Sequence, residues 1–341
     1  MGVNIKDIAR LSGVGISTVS RVLNQSGAVS GETVKKVMEI VDKYNYIPNS
    51  NARNLKKNNS KNIALLVKGI TNPFFNKLIR GIEKEVALRG YPLLIKNVDS
   101  MSGELDIAIQ EKADRNLCGV IIMGGSYGYS EAKFRQLGIP CVLVTISAGE
   151  DVDTSLYSSV RINDEQEAFH VMESLISLGH RRIGFIFRNP YEVSTPNALR
   201  YNGYINGLSR YDIPFDPELV AINTTEAESG LHVGFQLMKQ LCARNRNMTA
   251  VFAFADILAI GAAKAALSMD LKIPDDMTVV GFDGIEMTEY FHPSLDTVYQ
   301  PAVEMALSST EILFDMINGG PSRHVVYDSI FLRRGSSKAI V

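Results

Sequence analysis

Residues 124–128, Gly-Gly-Ser-Tyr-Gly, have the G-x-S-x-G spacing that lifts a serine hydroxyl onto a sharp turn after a strand, and the apolar run GVIIM leads into them. A hydrolase also needs oxyanion donors, such as an HGGG run, and a histidine placed as base. Neither is evident: the five histidines (170, 180, 232, 292, 324) are scattered, and His180 sits in LGHRRI ahead of a strand-like run. There is no GxxxxGK[ST] phosphate loop and no HExxH pair. The three cysteines, Cys118, Cys141 and Cys242, are far apart, which supports neither a zinc site nor a disulfide framework. The expectation is a protein with no catalytic residue, no metal and no cofactor, whose chemistry is recognition. The residues suited to that are of two kinds. Ile16 to Arg21 place hydroxyls and a guanidinium on a helix whose other face carries Val19, Val22 and Leu23. Phe74 and Phe75 follow Asn72-Pro73, where a strand has ended and a helix begins, and their faces could stack on a sugar or base. Arg200 follows an irregular stretch, Asp256 follows the strand-like AVFAFA, and Asp283 ends TVVGFDG. Fixed charges there can hydrogen-bond hydroxyls or a carboxylate strongly.

The elements that must hold these residues fall into two parts. Ile5, Ile8, Ala9 and Leu11 have helical spacing behind a possible Asn4 N-cap, and a Gly13-Val14-Gly15 turn leads to the polar helix 16–23. A third helix, from about Gly31 to Tyr44, is expected to turn Val34, Val37, Met38 and Val41 inward. Two short helices about a three-residue turn make a helix-turn-helix, whose second helix can enter a major groove. From Asn62 onward, apolar runs (IALLV, PLLIKNV, GVIIMGG, PCVLVTI, RIGFIF, AVFAFA, TVVGFDG) alternate with helical stretches at 74–89, 165–178, 198–210, 228–242 and 257–269. This is the pattern of parallel α/β sheet. Its repetition before and after about residue 160 suggests two similar lobes, with a ligand cleft where the strand carboxyl ends face each other.

Bulk properties agree with that division. A length of 341 residues suggests about two or three domains, and 45% hydrophobic with 21% charged residues is ordinary for globular chains. The net charge of −2 is unevenly spread: residues 1–60 hold nine Lys and Arg against four Asp and Glu, a net of +5, and the remainder carries −7. A small basic piece on an acidic body hints at nucleic-acid contact. The amino terminus lacks the apolar stretch of a secretory signal, and no run of roughly 18 apolar residues could span a bilayer. A cytoplasmic protein with no membrane partner is expected.

The segments IKDIARLSGVGISTVSRVLN, VSGETVKKVMEIVDKYNYIPN and ARNL resemble the headpiece of the LacI/GalR family of bacterial transcription regulators. The resemblance continues through ITNPFF, LGHRRIGFI, RYNGY, IPDDMTVVGFDG, VYQP and FLRRGSSK, essentially the whole chain. It implies an all-α helix-turn-helix headpiece plus an α/β periplasmic-binding-protein-like (type I) core of two doubly wound parallel-sheet lobes. The implied domains are 1–48 (DNA-binding), 49–60 (hinge helix or linker) and 61–341 (effector-binding and dimerisation). One lobe would be 61–160 with 301–323 and the other 161–300 with 324–341, the crossovers lying near Val160, Gln300 and Arg323. By the same resemblance Ile16, Ser17 and Arg21 face base edges, where Arg21 suits guanine and Ile16 a thymine methyl. Asn4, Thr18, Ser20, Asn24 and Ser30 serve phosphates, Leu55 wedges into the minor groove, and Ala52 lets paired hinge helices approach. Effector contacts are expected from Phe74, Phe75, Ser126, Asn163, Arg200, Thr225, Asp256 and Asp283.

The sequence departs from the family pattern at three points. Gly15 stands where serine is usual at the cap of the reading helix, Asn163 stands where aspartate is common, and Ala255 replaces the asparagine of an Asn-Asp pair. The implied function is a homodimeric repressor on a pseudopalindromic operator, controlled allosterically by a small molecule, most readily a carbohydrate. A solute-binding protein of a transport system is the alternative that the body alone would permit. The direction of control is left open by the sequence.

Overall fold

The computed structural model describes residues 5–23, 29–44, 62–98, 102–125, 129–188, 195–223, 230–245 and 247–340. The chain divides into two units, Met1–Ser60 and Lys61–Val341.

The first unit contains α1 (Ile5–Ser12), α2 (Ile16–Leu23) and α3 (Gly31–Lys43). Ile8, Ala9, Val19, Val22, Val37 and Val41 form its core. Ser12 ends α1 by donating its hydroxyl to Ile8 O at 2.6 Å. Gly13, at φ 68°, then reverses the chain, a conformation that favours glycine, and Val14 N reaches back to Ala9 O. Ser30 caps α3, accepting from Thr33 N at 3.3 Å. Val34 and Met38, expected inside, are 37% and 38% exposed. Three short helices bury one narrow stripe each, and Val37 and Val41 fill the stripe of α3.

The second unit is two six-stranded sheets. Its strands are β1 (Asn62–Lys68), β2 (Leu93–Val98), β3 (Leu117–Met123), β4 (Cys141–Val144), β5 (Ser158–Ile162), β6 (Ile183–Arg188), β7 (Val220–Asn223), β8 (Ala250–Ala253), β9 (Thr278–Asp283), β10 (Asp296–Tyr299), β11 (His324–Tyr327) and β12 (Ile330–Leu332). Its helices are α4 (Phe74–Leu88), α5 (Glu104–Arg115), α6 (Glu131–Leu137), α7 (Asp164–Ser177), α8 (Pro196–Arg210), α9 (Leu231–Arg244), α10 (Asp256–Ser268), α11 (Met287–Tyr290) and α12 (Ala302–Ile317). The first sheet runs β11-β5-β4-β3-β1-β2, all parallel. The second runs β12-β10-β9-β8-β6-β7, parallel except for β12.

Both faces of each sheet are covered, which is why the strands read as continuous apolar runs. In β1, Ile63, Leu65 and Val67 enter the large core, while Ala64 and Leu66 enter a second cluster on the opposite face. Each fully buried aliphatic side chain stabilises by roughly 1.5–3 kcal/mol relative to exposure.

Three crossings join the lobes. After β5 the chain leaves the first sheet at Ile162 and α7 packs on α8 of the second lobe. After β10 it returns, since α12 packs on α4 and on β3 to β5. The third crossing differs from expectation: β11 pairs with β5, so the chain stays in the first lobe through Tyr327 and enters the second at Ile330, not at Arg323. The first crossing also falls slightly later than Val160. Ladder hydrogen bonds fix these points, and a single chain carries no signal for them. Helices α5, α6, α11 and α12 are additional to those expected from the sequence.

Candidate functional site

Parallel strands of the second sheet deliver charged residues to their carboxyl ends. Asp283 is the last residue of β9, 3% exposed, with a backbone φ of 122° that non-glycine residues rarely adopt. Its Oδ1 accepts from Gln300 Nε2 at 2.9 Å and from an Arg200 guanidinium nitrogen at 3.3 Å. Its Oδ2 accepts from Asn72 Nδ2 at 3.0 Å. Asn72 lies in the turn after β1, so this bond joins the two lobes.

Arg200, on α8 and 5% exposed, is held on several sides. Its Nε donates to Asp164 Oδ1 at 2.8 Å, a terminal nitrogen donates to Phe254 O at 2.6 Å, and the guanidinium lies 3.6 Å from the Phe282 ring centroid. An ion pair in such surroundings is strong but its partners lose hydration. For Asp164 and Asp283 burial is the larger effect, and both carboxyls are raised above the ordinary range in spite of the attraction of Arg200.

Asp256, the first residue of α10, is fully buried. It was expected at the effector, but its Oδ2 accepts from Ile285 N at 2.8 Å and its Oδ1 from the Thr297 hydroxyl at 2.6 Å. Asp256 thereby fixes the turn that follows Asp283 and supports the site from beneath. Burial, and next the charge of Asp283, push its carboxyl up to about 7. Ala255, at the cap position of α10, contributes no side-chain hydrogen bond.

Phe74 and Phe75 begin α4 and are 6% and 9% exposed, with ring centroids 5.5 Å apart. Both belong to the large core, and the Phe75 ring lies against Gly69 and Gly124, at the ends of β1 and β3. Asn163 is exposed and caps α7, accepting from Gln166 N at 3.3 Å, so the buried group at this point is its neighbour Asp164. Ser126 and Thr225 lie outside the described residues. The structure thus gathers Arg200 and Asp283 with Asn72, Asp164 and Gln300, three residues that sequence reasoning did not select. A signal existed for two of them: Asn72 stands where a helix cap belongs, and Gln300 sits in VYQP at a crossing.

In the headpiece, Ile16, Ser17 and Arg21 are exposed, while Thr18 and Ser20 are half-buried. At about 100° per residue, positions 16, 17, 20 and 21 share one side of α2, opposite the buried Val19 and Val22. Ser30 spends its oxygen on the α3 cap, although its side chain remains at the surface. Asn4, Asn24, Ala52 and Leu55 lie outside the described residues. Among those described, no helix is long and apolar enough to cross a membrane.

Residues 4–49 match the family model for bacterial regulatory proteins of the lacI family, and residues 172–337 match that of a periplasmic binding protein-like domain. The HTH-type transcriptional regulator MalR of Clostridium butyricum is 36% identical over 341 residues, covering 98% of both chains. The structure resembles that of the transcriptional regulator CelR-cellobiose complex, with a TM-score of 0.71 and 25% identity over 98% of this chain and 99% of that one. It also shares its fold with the lac repressor dimer bound to operator and an anti-inducer, with a TM-score of 0.71 and 22% identity over 99% and 100% of the two chains. Sequence similarity along the whole chain, the helix-turn-helix headpiece and the two-lobed body converge on one assignment: this chain belongs to the LacI family of bacterial regulatory proteins.

Proposed function

We propose that the protein is a cytoplasmic transcriptional repressor that binds a pseudopalindromic operator as a homodimer and responds to a neutral carbohydrate held between its lobes. The observation that carries this reading is the buried cluster of Arg200, Asp283, Gln300, Asp164 and Asn72, where the lobes meet at the strand ends. Such a cluster offers both donors and acceptors to hydroxyl groups. It suits anions poorly, because Arg200 is already shared between two carboxylates. A related regulator has been solved with cellobiose, which makes disaccharides the first class to try. Two headpieces, one per subunit, would each read a half-site. Ile16, Ser17 and Arg21 are the residues proposed to face bases, and Thr18, Ser20 and Ser30 phosphates.

Effector binding changes the relation of the lobes, and by linkage it changes operator affinity by the same factor that operator changes effector affinity. A solute-binding role in transport gains nothing from a helix-turn-helix unit. The test is a thermal-shift screen of the full chain with cellobiose, other neutral mono- and disaccharides, and nucleobases. It is repeated with Arg200→Ala and Asp283→Ala and followed by gel shifts on operator DNA. A saccharide is expected to raise the melting temperature of the unsubstituted chain and to change operator retention, with both effects lost in the variants. A compound that both variants bind normally would show that the site lies elsewhere.

A further inference from the structure

Asn72 makes an unusual pair of contacts. Its backbone N donates to Gly69 O at 2.9 Å, closing the turn after β1, and its Oδ1 accepts from Phe74 N at 3.1 Å, at the start of α4. With the carbonyl end of the carboxamide committed to the helix, the NH2 end is aimed across to the second lobe, where it meets Asp283 Oδ2 at 3.0 Å. The orientation follows from chemistry. Rotating the amide by half a turn would set an oxygen against the Asp283 carboxylate and an NH2 against the Phe74 N–H, and both contacts would repel.

The other end is equally specific. Asp283 is buried at a φ of 122°, and its second oxygen already accepts from Gln300 and Arg200. A sparsely populated backbone conformation in a buried, fully hydrogen-bonded residue marks a place where the fold imposes geometry for a purpose. Oδ2 is the oxygen turned toward the first lobe, and in this structure a side chain of the protein itself occupies it.

We propose that the Asn72 carboxamide is an internal occupant of the effector position: it latches the lobes together by donating to Asp283, and an effector binds by substituting a donor of its own, a hydroxyl or an amine. The proposal rests on the reading that this cluster is the effector site. It adds that Asn72 competes with the ligand. A closed arrangement held by an internal donor reduces apparent effector affinity by the fraction of molecules so latched. It also sets the ligand chemistry. A phosphate or carboxylate without adjacent hydroxyls brings acceptors to an oxygen that needs a donor, beside Asp164 on the far side of Arg200. Such compounds are excluded, and polyols and amino-substituted polyols are admitted.

The test uses the ligand-free full chain, so no effector need be known. Small-angle X-ray scattering is compared for the unsubstituted chain, Asn72→Asp and Asn72→Ala, with thermal melts confirming that each is folded. Asn72→Asp keeps an oxygen for Phe74 N, and its negative charge suits the first turn of α4. It removes the donor and sets two carboxylates face to face. Asn72→Ala removes both contacts. Loss of a hydrogen bond to a charged group should shift the closed-to-open ratio by roughly tenfold to a hundredfold, so both variants are expected to show a larger radius of gyration. Scattering from Asn72→Asp that superimposes on that of the unsubstituted chain overturns the latch, as does expansion in Asn72→Ala alone, which would trace the effect to the helix cap. Failure to find a binding saccharide would count against the proposed function and leave the scattering result standing.

Discussion

Arg200 shows how one side chain can organise a buried polar site: it holds Asp164 and Asp283 while lying on the Phe282 ring, and so links α7, α8 and β9. Beneath this group, Asp256 carries the clearest pH signature. Its carboxyl is pushed up to about 7 by burial and by Asp283, whereas an unfolded aspartate titrates near about 3.9. Between those values the folded chain keeps a proton that the unfolded chain has lost. The contribution of Asp256 to stability is therefore complete below about pH 4 and is lost as the pH rises through about 7. Asp164 and Asp283 act in the same direction. Asp256→Asn, which cannot ionise, is expected to flatten part of the fall in melting temperature from about pH 4 to about pH 7.5. The check is a series of thermal melts across that range, and an unchanged slope would mean that Asp256 is not the titrating group.

At the scale of elements, the site depends on how closely α7 and α8 approach. Gly203 on α8 has no room for a side chain: a Cβ there would collide with Glu165 O and lie 2.6 Å from Ala168 Cβ and 2.8 Å from Phe169 N, all on α7. Because Asp164 opens α7 and Arg200 sits one turn before Gly203, the spacing of these helices sets the Arg200–Asp164 distance. Gly203→Ala is expected to destabilise the protein by about 1–3 kcal/mol, the usual cost of overpacking. It should also weaken effector binding without touching the ligand. Urea unfolding followed by circular dichroism measures the first effect, and an unaltered midpoint would show that the helices can separate at no cost. The α9–α10 pair follows the same design, since a Cβ on Gly261 would collide with Leu231 O. The second lobe is thus built from close helix pairs that act as rigid carriers for Arg200 and Asp256.

For the whole molecule, charge separates the two tasks. Residues 1–60 carry a net +5 and the body −7, so the attraction to DNA is confined to the headpiece and linker, and the body is repelled by the duplex. In the proposed dimer, two basic segments displacing counterions from about six phosphates or more should make operator affinity fall about a thousandfold between roughly 50 and 200 mM salt. Fluorescence anisotropy of labelled operator at several salt concentrations measures this. A shallow dependence would mean that the basic segment is not what engages the phosphates. If the buried cluster proposed as the effector site sets effector affinity, that affinity should change far less over the same range, because salt screens buried groups little.

The sequence alone determined the class of fold and the division into a small helical unit and an α/β body, because these depend on local periodicity: alternate apolar runs and helices, a glycine turn, and an exposed face at 16, 17 and 21 opposite Val19 and Val22. It also picked out Arg200 and Asp283, which stand beside recognisable strand and loop boundaries. Only the tertiary structure decided their partners. Asn72 and Asp283 are 211 residues apart, and no local pattern reports a hydrogen bond across that separation. The same holds for Asp164, for the strand pairing that keeps residues 324–327 in the first lobe, and for Asp256, whose two oxygens are committed to Ile285 N and Thr297. Periodicity states which face a residue turns inward. What it meets there is fixed by how distant segments pack, and the buried cluster of Arg200, Asp283, Asn72 and Asp164 is built from those meetings.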